Sequence, residues 1–406
     1  MKIYNFKLII FFIIHVVLSS LSNTAFGFEN KIGSLFLLSM NNDTELGERK
    51  SYTGIILENR FKQLRAVKLS LLESKIKLKS LNSKIYFEVI IVLNSKEAIK
   101  KIKEKVPIGA AVILDVPTNI MKSIVYSLKN KNIALINARS RNMGLRLNLC
   151  QKNLFHIIPS FRMYTDALAQ FLYTKNWKKL IIIHGKNIYD KQMIDSFLLS
   201  SKKYSLKIAL KKIFSTSNNP KDREQSNSLL LTSHNNHDAI VVFDKIGEYS
   251  RFLPFNTHLS RLVFGSVGLK PRAWHWSWER FGAPQLNQRF NRRVKTFLND
   301  NNDRNMDDED WAAWASIKLL VESIKNKNSE KDINFLKLLK FPDLSVDLYK
   351  GSVGSIRKWN NQMRQPILLT THNAVISVMP NNKFLHEKFN EDTLGLDRLE
   401  SSCQLK

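Results

Sequence analysis

Along most of the chain, short apolar runs alternate with longer amphipathic stretches. In the first half the apolar runs lie at residues 32–38, 86–93, 110–114 and 133–136. The stretches between them place apolar side chains at helical spacing over residues 54–72, 96–105 and 120–129. Continuous apolar strands that alternate with helices are typical of a parallel sheet covered on both faces.

The same pattern starts again near Phe155. A helix is predicted over 164–174 and another over 190–202, with strands at 180–184, 208–214, 239–243 and 262–264. No proline- or serine-rich linker separates the two halves, so we expect them to pack directly against each other. The pattern therefore predicts an α/β protein of two lobes, joined near residues 148–152.

The last third of the chain is expected to complete these lobes rather than form a third. Acids at residues 307–310 precede an apolar helical face that begins at Trp311 and Trp314, and acids are favoured at a helix N-terminus. We expect this helix to cover the first lobe, and residues 366–370 and 374–378 to add closing β segments. The predicted divisions are a signal peptide at 1–27, lobe 1 at 28–150 and 275–345, and lobe 2 with the C-terminal tail at 151–274 and 346–406. A chain that crosses between lobes several times predicts a hinge over a cleft.

The first 27 residues have the features of an export signal. Lys2 and Lys7 precede the apolar run 8–18, which is too short to span a bilayer, and residues 25–27 (AFG) fit the small-x-small cleavage rule. We predict that the mature protein begins at Phe28 and acts outside the cytoplasm.

The chain is strongly basic, with 63 Lys and Arg against 35 Asp and Glu, a formal net charge of +28. These residues are dispersed, and export argues against a nucleic-acid partner. A diffusely basic surface and attraction to an anionic ligand or a membrane both stay open. Cys150 and Cys403 are the two cysteines of the chain. They form one disulfide or remain free thiols, and the disulfide would stabilise the fold by about 5 kcal/mol in the chain-entropy model.

Motifs for catalysis are missing from the sequence. It has no phosphate-binding glycine loop, no serine-hydrolase elbow and no zinc-protease helix, and the histidines at 234–238 read as a solvated turn. We expect no enzymatic activity and no cofactor or metal, although a two-lobed enzyme stays an alternative because catalytic carboxylates need no motif.

An aromatic segment at 273–287 (AWHWSWERFGAPQLN) is the most unusual part of the chain. Trp274, Trp276 and Trp278 alternate along it. Alternate aromatic residues are typical of the buried face of an extended segment. They are also suited to contact the apolar part of a ligand, while Glu279 or Arg280 binds its polar end. Both interpretations stay open.

Several long segments resemble one family. They are 153–172 (NLFHIIPSFRMYTDALAQFL), 274–290 (WHWSWERFGAPQLNQRF), 310–320 (DWAAWASIKLL), 349–369 (YKGSVGSIRKWNNQMRQPILL) and 384–403 (FLHEKFNEDTLGLDRLESSC). The chain resembles type I periplasmic binding proteins of the leucine/isoleucine/valine-binding group. Within that group it looks like the substrate-binding proteins associated with pyrroloquinoline quinone-dependent alcohol dehydrogenase systems.

The resemblance implies a monomeric periplasmic protein with three crossovers between its lobes. Such a protein holds a small ligand between the lobes and delivers it to the membrane permease of an ABC transporter. It also implies that Cys150 and Cys403 are paired. A non-transport envelope sensor or regulator on the same fold is the alternative.

For lobe 1, the resemblance places two turns at the ligand. The turn that supplies serines to the ligand carboxylate in amino-acid binders contains Asp115 and Thr118, and only Thr118 could take that part. The turn after the next strand contains Arg139, Ser140 and Arg141, which brings guanidinium groups instead of the usual threonine.

For lobe 2, the resemblance places Tyr189 at the ligand, and Asp244 follows a predicted strand at the same edge. Trp274 and Trp276 could cover an apolar part of the ligand. The acid that usually neutralises a ligand ammonium would fall near Val267 and is missing. Arginine forks suit carboxylates, so we predict an anionic small molecule, such as a carboxylic acid linked to alcohol oxidation, rather than a free amino acid.

Overall fold

A computed structural model describes residues 31–41, 43, 48–51, 54–57, 62–216, 219, 222–298, 304–326 and 332–405. The predicted signal peptide lies outside these residues. In the described part of the chain, no helix combines the length and the apolar character needed to cross a membrane.

Lobe 1 is built around a parallel sheet. Its strands are β1 (Lys31–Met40), β2 (Glu48–Ser51), β3 (Gly54–Leu57), β4 (Ser83–Val92), β5 (Ala111–Asp115), β6 (Ala134–Asn137) and β7 (Leu154–His156). Its helices are α1 (Lys62–Ser80), α2 (Ser95–Lys105) and α3 (Thr118–Ser127). The sheet has the order β4-β1-β5-β6-β7, while β2 and β3 form a separate antiparallel hairpin. Strands β5 and β6 are buried along their whole length because helices cover both faces of the sheet.

Lobe 2 repeats this arrangement with a smaller sheet. Its helices are α4 (Phe161–Thr174), α5 (Ile188–Lys203), α6 (Arg223–Ser226) and α7 (Ser228–Leu231). Its strands are β8 (Lys179–His184), β9 (Lys207–Ile213), β10 (Ala239–Phe243), β11 (Leu262–Gly265) and β12 (Lys270–Arg272). The parallel sheet has the order β11-β10-β8-β9. Two parallel sheets with helices on their faces confirm the predicted α/β fold class.

The chain then returns to lobe 1 through α8 (Ala283–Leu298), α9 (Asp308–Ser323) and α10 (Phe335–Leu338). A capping box between Asp307 and Asp310 begins α9, as the acids in the sequence predict. The predicted packing on the first lobe is confirmed, because the Ser70 hydroxyl of α1 donates to the Trp314 carbonyl of α9 at 2.9 Å.

The remaining strands close the hinge region and lobe 2. They are β13 (Ser345–Asp347), β14 (Val353–Ile356), β15 (Met363–Arg364), β16 (Ile367–Thr370) and β17 (Val375–Met379). Strand β16 pairs with β12 and β17, while β13, β14 and β15 form their own antiparallel sheet. Single turns of 3-10 helix lie at Met143–Leu145, Ser250–Phe255, Ile324–Asn326, Asn382–Phe384, Asn390–Thr393 and Arg398–Glu400.

Two parts of the predicted layout differ in the structure. Gly54–Leu57, predicted as the start of a helix, pairs with Glu48–Ser51 in the hairpin, and the helix begins at Lys62. Leu154–His156, assigned to the second half by its pattern, joins the first sheet beside β6. The first crossover therefore follows His156 rather than Cys150.

The crossovers are joined by buried polar side chains. The Lys350 ammonium donates to the Ala273 carbonyl (3.0 Å), the Gln365 side-chain oxygen (2.9 Å) and the Pro366 carbonyl (2.8 Å). Gln365 in turn donates to the Ile157 carbonyl at 2.6 Å. These groups belong to three segments, near residues 157, 273 and 350–366, and hold them side by side.

The C-terminal tail crosses the lobes as well. Its Gly395 amide donates to Asp166 on α4 of lobe 2 at 2.9 Å, and Leu394 is buried. Further on, Cys403 is disulfide-bonded to Cys150 of lobe 1, with the Cα atoms 5.7 Å apart. The tail thus packs on lobe 2 and is joined to lobe 1 by the disulfide.

Candidate functional site

The carboxyl ends of the two parallel sheets meet across the hinge. The loop after β6 and helix α5, which follows β8, are joined by a hydrogen bond from the Asn142 side-chain amide to the Gln192 side-chain oxygen (3.0 Å). Ligands of open α/β sheets bind at the carboxyl ends of strands. The space between these two edges is therefore the candidate site.

A buried ion-pair cluster follows β5 and β6 in lobe 1. The Arg139 guanidinium contacts both oxygens of Asp43, at 2.5 and 3.2 Å, and Asp115 at 3.4 Å. Only 5% of the Arg139 side chain is exposed. Burial raises the pKa of Asp115 to about 6; Arg139 opposes that shift, while Glu309 and Asp43 add to it. Arg139 therefore already has carboxylate partners within the protein.

The hydroxyl groups predicted at the site do come together. Thr118, at the start of α3, and Ser140 are 2.8 Å apart at their side-chain oxygens. The turn that holds Ser140 is fixed by Asn137, whose side-chain oxygen accepts from the amides of Arg139 (3.1 Å) and Ser140 (2.7 Å).

Arg141 lies at the floor of the site, where the lobes meet α9. Its guanidinium contacts Glu309 at 3.0 Å and Asp308 at 3.4 Å. Asp308 also accepts from the Tyr164 hydroxyl (2.9 Å) and the Trp274 amide (3.0 Å). Two acids in the first turn of α9 thus neutralise Arg141.

On lobe 2, Tyr189 and Asp244 have different surroundings. The Tyr189 ring packs edge-on against the Phe161 ring, with the ring centres 4.9 Å apart. Burial raises the pKa of the Tyr189 hydroxyl, which makes no hydrogen bond to the described residues. The Asp244 carboxylate accepts from the amides of Gly247 and Ser250, both at 2.9 Å, so it fixes the loop after β10.

The three tryptophans of the aromatic segment divide between core and surface. Trp274 is 1% exposed, stacks on Trp311 and donates to Asn287 at 3.0 Å. Trp278 is 8% exposed and donates to the Tyr349 carbonyl. Trp276, between them, is 42% exposed. Packing in the core therefore accounts for Trp274 and Trp278.

A group of basic side chains beside the site was missed by the sequence analysis. Lys270 and Arg272 lie on one face of β12, on either side of buried Pro271. Arg272 approaches Asp308 at 3.7 Å, and its side chain is 41% exposed. Burial and the charge of Arg272 lower the pKa of Lys270, and the same two causes lower the pKa of His275 to about 4. The alternating basic residues in KPR were a signal of this surface.

Metal ligands are not grouped in the described part of the chain: no cluster of three or more His, Cys, Asp or Glu side chains there could hold an ion. The arrangement of hydroxyl, guanidinium and ammonium groups can donate hydrogen bonds to a small molecule.

Comparison with known proteins agrees with this architecture. The profile of the receptor family ligand binding region matches residues 110–255. The structure is similar to a leucine-, isoleucine-, valine-, threonine- and alanine-binding protein from Brucella ovis (TM-score 0.65, 14% identity, 93% of this chain and 99% of that one). The chain has the type I periplasmic binding protein fold.

Two further structures of this fold carry ligands. One is an ABC transporter solute-binding protein from R. palustris in complex with benzoate (TM-score 0.59, 12% identity, 92% and 99% coverage). The other is a branched-chain amino acid transporter substrate-binding protein from Streptococcus pneumoniae in complex with isoleucine (TM-score 0.58, 15% identity, 86% and 98% coverage). No curated protein matches the sequence significantly. At these identities the likeness establishes the fold.

Proposed function

We propose that this chain is the periplasmic substrate-binding component of an ABC-type import system and has no enzymatic activity. The observation that carries this proposal is the meeting of two sheet edges across a hinge, where Asn142 and Gln192 already touch. Solved proteins of this fold bind benzoate or isoleucine. A solute that contacts both lobes would favour their closed arrangement.

The first experiment asks whether a solute is bound and closes the lobes. Protein purified without refolding is examined by native mass spectrometry for a retained small molecule, and small-angle scattering is recorded with and without it. We expect a bound solute and a more compact particle. A protein that retains nothing, and that no small solute in a screen compacts, would contradict the proposal.

A second experiment separates transport from sensing. The alternative function is an envelope sensor or regulator on the same fold. Deleting the gene should abolish uptake of the radiolabelled solute if the protein serves a permease. Normal uptake together with altered gene expression would favour the sensor.

The link to pyrroloquinoline quinone-dependent alcohol oxidation is a finer part of the proposal, and it rests on the resemblance of the segments described above. A deletion strain should then grow more slowly on an alcohol that requires such a dehydrogenase, but normally on succinate. Equal growth on both carbon sources would count against the link.

An anionic ligand bound by Arg139 and Arg141 stays a prediction. Because both guanidinium groups face carboxylates, a ligand anion on Arg141 would have to replace Glu309 or Asp308 as its partner. The Arg139→Gln/Arg141→Gln variant should weaken binding of the identified solute more than tenfold, or about 1.4 kcal/mol. Unchanged affinity would remove these two residues from the site.

A further inference from the structure

The charges around the site are unevenly distributed between the lobes. At the lobe 1 side and the floor, Arg139 and Arg141 contact carboxylates of Asp43, Asp115, Asp308 and Glu309. Both guanidinium groups are thus paired with carboxylates, and the neighbouring Arg146 donates to the Ser140 and Asn142 carbonyls. Lobe 2 has basic groups with fewer such partners.

These basic groups of lobe 2 lie on β12 and near Tyr189. Among the described residues Lys270 makes no ion pair, and Arg272 reaches only Asp308, at 3.7 Å. Asp308 also contacts Arg141, so it links this basic surface to the floor of the site. Near Tyr189, the Lys245 ammonium lies 5.5 Å from the centre of the tyrosine ring.

The basic groups also repel one another. The charge of Arg272 lowers the pKa of Lys270, and Arg272, His372 and Lys270 help burial to lower that of His275. His372 follows β16, whose Thr370 pairs with Lys270. His275 is uncharged at neutral pH, so Lys270 and Arg272 are the two cations whose repulsion an anion in contact with both would relieve.

We infer that Lys270 and Arg272 form a lobe 2 subsite for the negatively charged group of a small organic anion, with the Tyr189 hydroxyl as a further donor. This inference rests on the proposed solute-binding function. It is an alternative to anion binding by Arg139 and Arg141: it predicts that Lys270→Gln/Arg272→Gln, and not Arg139→Gln/Arg141→Gln, removes the affinity for the charged group. A carboxylate at this place would contact two cations on the same face of β12.

The first test measures attraction of an anion without a known ligand. Trp276 is the most exposed tryptophan, at 42%, and its ring lies 5.7 Å from that of His275. Trp177 and Trp359 are partly exposed, so the test is made in a Trp177→Phe/Trp359→Phe background. Iodide should quench the fluorescence of that protein strongly and at least twofold less after Lys270→Gln/Arg272→Gln. Neutral acrylamide should quench both proteins equally. Lys212→Gln, an exposed lysine on the edge strand β9, is the matched control and should behave as the wild type.

The second test uses phenylacetate and its uncharged analogue phenylacetamide in calorimetric titrations. We expect the wild type to bind phenylacetate at least tenfold more tightly than the amide, and Lys270→Gln/Arg272→Gln to lose that preference. A charge-assisted contact accounts for a loss of this size. Circular dichroism confirms that the variant is folded.

The outcomes separate this inference from the proposed function. Equal quenching by iodide in variant and wild type, or no preference of the wild type for phenylacetate, would overturn the subsite. If an uncharged solute nevertheless compacts the protein, the solute-binding function stands without it. If the subsite tests succeed but no solute closes the lobes, the basic surface binds anions and the transport proposal fails.

Discussion

Arg139 shows that an arginine which the sequence suggests as a ligand contact can instead be a buried charge that stabilises the fold. Its guanidinium contacts Asp43 and Asp115 and is almost inaccessible to solvent. Removing one member of a buried ion pair costs more than the pair itself contributes, because the remaining charge stays desolvated. Within this cluster, Arg139 holds together segments that follow different strands of lobe 1.

Replacing Arg139 with glutamine should therefore reduce the free energy of unfolding by about 3–5 kcal/mol. Asp43 and Asp115 would be left as buried carboxylates without their cation. Urea unfolding of Arg139→Gln and of Asp43→Asn/Arg139→Gln measures this loss, and the double variant should recover part of it. A single variant as stable as the wild type would mean that Arg139 is not a structural residue.

Asp115 should make stability depend on pH. Its pKa is raised by burial to about 6 in the folded protein, against an ordinary value of 3.8. Its stabilising contribution is complete below pH 3.8 and is lost as the pH rises through about 6, because the folded state holds the proton more tightly than the unfolded state does. Asp115→Asn lacks this titration.

The melting temperature of Asp115→Asn, relative to the wild type, should therefore rise from about pH 4 to about pH 6 and stay constant at higher pH. Scanning calorimetry across this range measures the difference. Asp195→Asn, at an exposed position of α5, is the control and should follow the wild type. A constant difference for Asp115→Asn would contradict the assigned cause.

The sequence predicted which turns carry polar side chains, but not what those side chains contact. Arg139 and Arg141 were expected to face a ligand, yet their partners Asp43 and Asp308 come from segments distant in the chain. A lone sequence contains no information on such pairing. The proximity of Thr118 and Ser140 was easier to predict, because both follow neighbouring parallel strands and must lie at the same edge of the sheet.

At the scale of elements, the aromatic segment shows how a turn separates side chains that an extended strand would keep together. In an extended stretch, residues two apart point to the same side, so Trp274, Trp276 and Trp278 would share one face. A turn at residues 276–277, closed by a hydrogen bond from the Trp278 amide to the His275 carbonyl at 3.1 Å, instead leaves Trp276 exposed while the other two rings enter the core. Trp274 stacks on Trp311 of α9, which couples the second crossover to lobe 1.

Trp274→Ala should destabilise the protein by about 3–5 kcal/mol, and Trp276→Ala should change its stability by less than about 1 kcal/mol. The first change leaves a cavity and removes the donor to the Asn287 side-chain oxygen, whereas the second removes a partly exposed ring. Chemical denaturation of both variants makes each the control of the other. Similar losses would show that Trp276 is also a packing residue.

The predicted elements were most accurate where burial alone determines the pattern. The strand at 239–243 agrees with β10 to the residue because it lies between two other strands and is apolar throughout. Residues 54–57 were assigned to a helix because apolar pairs occur in both structures, and β7 is too short for its pattern to reveal which sheet it joins.

For the whole molecule, the connections between the lobes set how far they can separate. The crossovers are fastened by Lys350 and Gln365, and the tail adds the Cys150–Cys403 disulfide. These contacts are all at the hinge. The Asn142–Gln192 hydrogen bond differs from them because it joins the loop after β6 to α5 across the site itself.

Gln192→Ala should therefore shift the ligand-free protein towards a more open arrangement. A hydrogen bond of this kind contributes about 0.5–1.5 kcal/mol, which is about a 2- to 12-fold change in the ratio of closed to open molecules. Distances between dyes placed on α2 and α6, measured on single molecules, report that ratio. Lys191→Ala, its exposed neighbour on α5, keeps the bond and serves as the control. If Gln192→Ala and Lys191→Ala give the same distribution, other contacts hold the lobes together, because the Asn142–Gln192 bond would then have no influence on their separation.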